Sequence, residues 1–192
     1  ASSAIEQALI NTLAAQNILV VAASGNEGSN SVDYPAAYDR VLAVGATGAQ
    51  AAVTDYSNRG RQLDLVAPGG RSAADYNGDG EPDGILSTYY VNGAPEYAFL
   101  EGTSMAAPHV SGVLALMRSI NPGLTVETFE WLLTSGALTD DLGPEGWDID
   151  YGWGLINARK AVNAALAQIG GSAVQPPRLG LSSTKINLGT SL

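Results

Sequence analysis

The chain contains no cysteine. That excludes a disulfide framework, a thiol nucleophile and any cysteine-held metal, and it leaves the compartment open. Histidine is nearly absent too: His109 is the single imidazole in 192 residues. Basic residues are scarce, nine against nineteen acidic, giving a formal charge of -10. A nucleic-acid partner, which needs a basic face, does not fit that balance, whereas solubility and cation binding do. Long hydrophobic runs are missing as well: nothing approaches the roughly 20 apolar residues of a membrane helix, so no membrane span is expected. The first residues lack the basic start, apolar stretch and cleavage site of a signal peptide, so none is read in this chain, and an upstream segment could hold one.

What is present is a chain 45% hydrophobic, enough for one compact domain with a sizeable core. Ser3 with Glu6 forms a capping-box pattern, and Ile5, Ala8, Leu9, Thr12 and Leu13 follow at helical spacing. The run Ile18-Leu19-Val20-Val21-Ala22-Ala23 is short and apolar, and Val41-Leu42-Ala43-Val44 repeats the type; both read as buried parallel strands. Helices are expected over Ser104 to Ser119, Val126 to Thr134 and Asn157 to Ile169. Helix followed by buried strands and then helices makes the fold class α/β. The Gly- and Pro-rich stretch at 170–178 reads as a linker after a domain of residues 1–169, and the alternation over 179–192 reads as the start of a β-rich domain.

One stretch carries the most chemistry: Gly102-Thr103-Ser104-Met105-Ala106-Ala107-Pro108-His109-Val110-Ser111-Gly112. A serine there stands between a flexible glycine and a helix of small side chains. At a helix start, free N–H groups and the positive end of the dipole favour an oxyanion beside that serine. A serine that merely caps a buried helix is the plainer alternative, though it accounts for the serine and not for the rest of the string. Upstream, Val20 to Ala23 leads into Ser24-Gly25-Asn26-Glu27-Gly28, where the Asn26 carboxamide is a fixed donor of the type that a reaction building charge on a carbonyl oxygen requires. Taken alone, an Asn in a Gly-rich turn is an ordinary turn residue.

Together these motifs resemble the subtilisin-like serine protease family, the eleven-residue stretch almost position for position. Asp33-Tyr34-Pro35-Ala36, Val41 to Thr47, Tyr56-Ser57, Leu65 to Gly69 and Tyr151 to Asn157 are similar to further family landmarks in the same order, over residues 1 to about 167. The resemblance implies a doubly wound parallel sheet flanked by helices, the C-terminal portion of a catalytic domain truncated on its N-terminal side. It makes Ser104 the nucleophile and Asn26 the oxyanion donor of a serine endopeptidase acting on protein or peptide substrates. The catalytic His and Asp motifs of the family would precede Ala1, so the N-terminal half of the domain is an expected partner and the chain alone is expected to be inactive. His109 is not that base: five residues of helix rise ~7.5 Å and turn ~500°, placing its side chain on a face about 140° from that of Ser104. It is expected to be a packed structural residue.

Family likeness also makes Ser24, Gly25, Glu27, Asp33, Tyr34, Pro35 and Thr103 candidates for the wall of the substrate pocket. Glu27 and Asp33 would then draw Lys or Arg side chains, unless both simply face solvent. Asp75-Tyr76-Asn77-Gly78-Asp79-Gly80-Glu81-Pro82-Asp83 places oxygen-bearing residues at the spacing of an EF-hand-type loop, with Leu86 where the bidentate Glu would stand. Asp75, Asn77, Asp79, Glu81 and Asp83 are therefore candidate Ca²⁺ ligands, against ordinary Asp-Gly turns. Family habit and the calcium loop imply secretion. A non-catalytic pseudoprotease, or a calcium-dependent extracellular binding module, is the alternative reading.

Overall fold

The structure, a computed structural model, describes residues 2–169 other than Asn77 and Asn92; the expected linker at 170–178 and β-segment at 179–192 lie outside them. The first helix, α1, runs Ala4–Ala15, and its N-cap Ser3 accepts from the Glu6 N–H. The return half of the capping box passes through a third residue. Ser3 N–H donates to Tyr38 Oη at 2.6 Å, and the Tyr38 hydroxyl donates to the Glu6 carboxylate at 2.5 Å. A distant tyrosine thus completes a local motif and ties α1 to the chain ahead of the second strand.

The two short apolar runs become β1 (Val20–Ala23) and β2 (Val41–Thr47), parallel with Val20 opposite Val41. Strand β3 (Leu65–Pro68) pairs parallel on the far side of β2. All seven residues of β2 are buried, as a strand covered on both faces must be. Its side chains divide by parity. Leu42, Val44 and Ala46 join a cluster with Val110 and Met117 of α2 (Thr103–Ile120), Phe129 and Leu133 of α3 (Val126–Thr134), and Ala161 of α4 (Ala158–Ala167). Ala43 packs with Val32, Ala36, Leu63 and Val66 on the opposite face, where Val41 meets Ile10 of α1 and Tyr38. The outward side of α1 leaves Ile5 and Leu9 exposed.

Besides β3, two antiparallel strand pairs had no counterpart among the sequence expectations. Strands β4 (Ile85–Val91) and β5 (Ala94–Leu100) form an antiparallel hairpin apart from the main sheet. The signal for it was Asn92-Gly93, a dipeptide that favours a tight hairpin turn, directly after the β-former-rich run Ile85–Val91. The sheet also ends on an antiparallel pair, β6 (Thr139–Asp140) beside β7 (Leu155–Ile156), giving the order β1-β2-β3-β7-β6. Strands this short carry no periodicity to read.

Between β2 and β3 lies Asp64, whose Oδ2 accepts the Ala43 N–H at 2.7 Å. Burial pushes its carboxyl up to about 7, the Ala43 N–H opposes this, and nearby Glu130 adds to it. In the unfolded chain the group ionises near its ordinary value of 3.8, so the native state holds the extra proton between those limits. Its contribution is complete below the unfolded value and disappears as pH rises to about 7. The Asp64→Asn variant keeps an acceptor for Ala43 and removes the ionisation. Its stability relative to the parent is expected to improve by up to about 4 kcal/mol between pH 4 and pH 8. Urea unfolding at the two pH values measures this, and a pH-independent difference counts against a buried, uncharged Asp64.

Candidate active site

Ser104 is the second residue of α2 and is exposed. The turn from β5 into the helix depends on Gly102, the N-cap, whose φ of 145° is closed to ordinary L side chains. Gly102 has no side chain to cap the helix. Asn26 does this from another element: its Oδ1 accepts the Thr103 N–H at 2.8 Å and the Thr103 hydroxyl at 2.9 Å. Thr103 is fully buried, and its oxygen also accepts the Gly25 N–H at 3.3 Å. The loop that follows β1 is therefore fastened to the residue immediately before Ser104. Both bonds to the Asn26 side chain use its carbonyl end, which leaves the NH₂ end as the donor. Met105 and Ala106 N–H groups donate to the Gly102 carbonyl and Thr103 N–H to Asn26, so none of these bonds occupies the Ser104 N–H. A helix N-terminus, and a carboxamide bonded to the first residue of that helix, thus adjoin one exposed serine. Beside them a groove of about 310 Å³ is lined by Asn26, Glu27, Asp55, Tyr56, Arg71 and Glu101.

His109 is exposed and not packed inward; its Nδ1 lies 2.8 Å from the Met105 carbonyl of its own helix. Of the candidate pocket residues, Ser24 is fully buried and donates to the Asn58 carbonyl at 2.9 Å. Asp33 N–H reaches the Ser24 carbonyl at 2.9 Å, which fastens the 33–36 segment to the Asn26 turn. Glu27 Oε2 accepts the Asn26 N–H at 2.9 Å and Asn58 Nδ2 at 2.8 Å, and the same Nδ2 lies 3.3 Å from Asp33 Oδ2. Hydrogen bonds, Asn58 foremost, hold Glu27 below the usual carboxylate range, while desolvation and the facing Glu27 raise Asp33. Gly25, at φ 111°, stands under all three groups: a Cβ there would overlap Asn58 Nδ2 and Asp33 Oδ2 and come within 2.9 Å of Glu27 Oε2. Tyr34 turns its ring onto Tyr38, with centroids 4.5 Å apart, and Pro35 accepts the Tyr38 N–H through its carbonyl.

The family model described as the Subtilase family matches residues 1–154. The chain belongs to the subtilase family. Subtilisin BL of Lederbergia lenta is 38% identical over 160 residues, 83% of this chain and 51% of the relative. Alkaline elastase YaB of Bacillus sp. strain YaB is 39% identical over 160 residues, 83% of this chain and 36% of the relative. Among solved structures, a protease of Pseudoalteromonas arctica PAMC 21717 superposes with a TM-score of 0.73 at 34% identity, covering 86% of this chain and 48% of that one. The subtilase chain thus spans about half, or less, of the length of the relatives it matches.

In this subtilase the 75–83 loop is closed at its base by Arg71 N–H to the Asp83 carbonyl and Asp83 N–H to the Ala74 carbonyl, at 2.8 and 2.7 Å. Its carboxylates are turned onto its own amides. Asp75 accepts from Gly78 and Gly80, Asp79 from Glu81, and Asp83 from Tyr76. Among the described residues no group of three or more His, Asp or Glu side chains converges as a metal site, and Asn77 lies outside those residues. The donor chemistry is all oxygen, which suits a hard cation, but the carboxylates do not already share a centre. Sequence reasoning missed Asn58, which follows the Tyr56-Ser57 landmark and joins Ser24, Gly25, Glu27 and Asp33. A buried Asn beside a Gly-bearing turn is invisible without the fold that brings two distant segments to it.

Proposed function

We propose that this chain is the nucleophile-bearing part of a serine endopeptidase. Ser104 Oγ attacks the peptide carbonyl carbon, its proton passing to a base, and the carbonyl oxygen becomes an oxyanion held by Asn26 Nδ2 and the Ser104 N–H. Collapse of the tetrahedral species expels the amine, which takes up that proton, and leaves an acyl-Ser104 that water then hydrolyses. The base and its orienting carboxylate come from sequence outside this chain, so the chain alone does not turn over. The reading is carried by the bonding of the Asn26 carboxamide to the residue directly before Ser104. Incubating the complete protein with a peptidyl phosphonate tests it: an adduct on the peptide containing Ser104 is expected. A complete protein that neither reacts nor hydrolyses peptides is a binding module instead.

Glu27 and Asp33 form the acidic part of the pocket that receives the side chain before the scissile bond, which favours Lys or Arg there. A role outside the cell agrees with relatives such as the minor extracellular protease Epr of Bacillus subtilis, 33% identical over 160 residues. No described helix is long and apolar enough to cross a membrane. Asp75, Asn77, Asp79, Glu81 and Asp83 take one Ca²⁺, since carboxylates bonded to amides keep lone pairs for an ion. Titration calorimetry of the complete protein with Ca²⁺ is expected to give binding heat that the Asp75→Asn/Asp83→Asn variant lacks. No heat from the parent overturns the site.

A further inference from the structure

Asn58 is fully buried, yet it is bonded at every polar atom to the walls of the candidate pocket. Its Nδ2 donates to Glu27 Oε2 at 2.8 Å and to Asp33 Oδ2 at 3.3 Å. Its Oδ1 accepts the Glu27 N–H at 3.1 Å and the Ser29 N–H at 2.9 Å. Its own N–H donates to the Gly25 carbonyl at 3.0 Å, and its carbonyl accepts from Ser24. Two carboxylates from segments that flank the pocket on separate turns would repel one another. A neutral NH₂ group with two hydrogens can hold both without cancelling either charge.

Among the described residues no cation answers that pair. Arg40 is matched with Glu127, Arg59 with Asp150, Arg71 with Asp55 and Lys160 with Asp140, and none of these ion pairs involves Glu27 or Asp33. The bonds from Asn58 engage Oε2 and Oδ2, and each carboxyl has a second oxygen with acceptor capacity that Asn58 does not use. Two such oxygens suit the fork of a guanidinium or a single ammonium. The opposed titration of the two groups, Glu27 lowered and Asp33 raised, agrees with two carboxyls held close enough to interact.

We propose that Asn58 is a positioning residue that clamps Glu27 and Asp33 into one anionic subsite, and that this subsite selects a guanidinium or ammonium side chain before the scissile bond. The proposal rests on the endopeptidase reading for its substrate, while the clamp itself does not depend on turnover. Asn58 touches neither the substrate nor the reacting atoms; it acts through the carboxylates it aims.

Two readouts test the clamp in the complete protein. In the first, kcat/KM is compared for two peptides that differ only in Arg or Leu before the cleaved bond. The parent is expected to favour Arg, and Asn58→Ala to cut the Arg/Leu ratio roughly tenfold, the size of one lost charge-assisted hydrogen bond. A residue that is merely structural lowers both peptides together and leaves the ratio in place, which overturns the proposal. A parent with no preference for Arg overturns it equally. Asn58→Ser, which shortens the side chain but keeps a small polar group, gives the same comparison where the Ala variant fails to fold. In the second readout, benzamidine serves as a soluble guanidinium-like probe, its binding followed by calorimetry. Asn58→Ser is expected to weaken it roughly tenfold at pH 8. Unchanged affinity, or no benzamidine binding by the parent, rejects the clamp. A protein that binds benzamidine through Asn58 but is not labelled by a phosphonate separates the two ideas: the subsite stands and the endopeptidase reading falls.

Discussion

On the proposed endopeptidase reading, replacing Asn26 by Ala in the complete protein is expected to lower kcat by about 10²–10³ with little change in KM; the figure is carried over from the oxyanion asparagine of subtilisin. The sign and the kinetic signature follow from the geometry. Asn26 makes its two anchoring bonds through Oδ1, to the Thr103 amide and hydroxyl, and presents the other end of the carboxamide. A neutral ground-state carbonyl gains little from that donor. The oxygen acquires its charge only as the tetrahedral species forms, so the loss falls on kcat and on kcat/KM alike. Asn26→Ala also removes the anchor for Thr103, however, and a displaced helix start could mimic a lost donor. Asn26→Asp separates the two. Its carboxylate keeps acceptors for Thr103 N–H and Oγ1–H but replaces the donor with a negative oxygen, so it is expected to lose at least as much kcat as the Ala variant. Steady-state kinetics on one peptide, with thermal unfolding to compare the folds, decides the matter. An Asp variant that retains the parent's kcat removes Asn26 from the oxyanion site.

Much of the architecture was legible because burial leaves a mark on composition. A strand covered on both faces has to be apolar throughout, and Val41 to Val44 said so directly; β2 is buried over all seven residues. The α3 helix was readable from the run of helix formers over Val126 to Thr134; its N-cap Thr125, whose hydroxyl accepts the Thr128 N–H, came from the structure. The helix at 103–120 was legible from its small residues, since Ala106 and Val110 have no exposed surface and nothing larger fits there. What could not be read depends on distant partners. Tyr38 completing the Ser3 cap, Thr103 serving Gly25 and Asn26 together, and Asn58 joining two turns are contacts over 25 to 78 positions that no local spacing encodes. His109 was misplaced for a different, local reason. Helical geometry alone separates it from Ser104, but its exposure depended on which side of α2 faces the sheet, and the apolar pattern of Ala106, Val110, Val113 and Met117 gives that side to the core.

Ser104→Ala in the complete protein is expected to lower kcat by about 10⁶, again a magnitude carried over from subtilisin, and to abolish phosphonate labelling. The more discriminating result concerns the double variant. A donor aimed at an oxyanion is useful only where that oxyanion forms, and its position is set by the bond from Ser104 Oγ to the substrate carbon. The Asn26 side chain is held by the residue one position before that oxygen, so the placement of its carboxamide is referenced to the start of the Ser104 helix. With Ser104 gone, residual hydrolysis by water approaches the carbonyl along a different line and the oxygen no longer moves toward Asn26 Nδ2. Adding Asn26→Ala to Ser104→Ala is therefore expected to cost less than about tenfold, in place of the 10²–10³ it costs alone, because residues that act as a unit are not additive. Independent contributions would multiply. A double variant slower than Ser104→Ala by the full Asn26 factor means that the carboxamide acts elsewhere, as a scaffold for the 24–28 turn, and that the serine hydroxyl and the amide do not serve one reacting carbonyl.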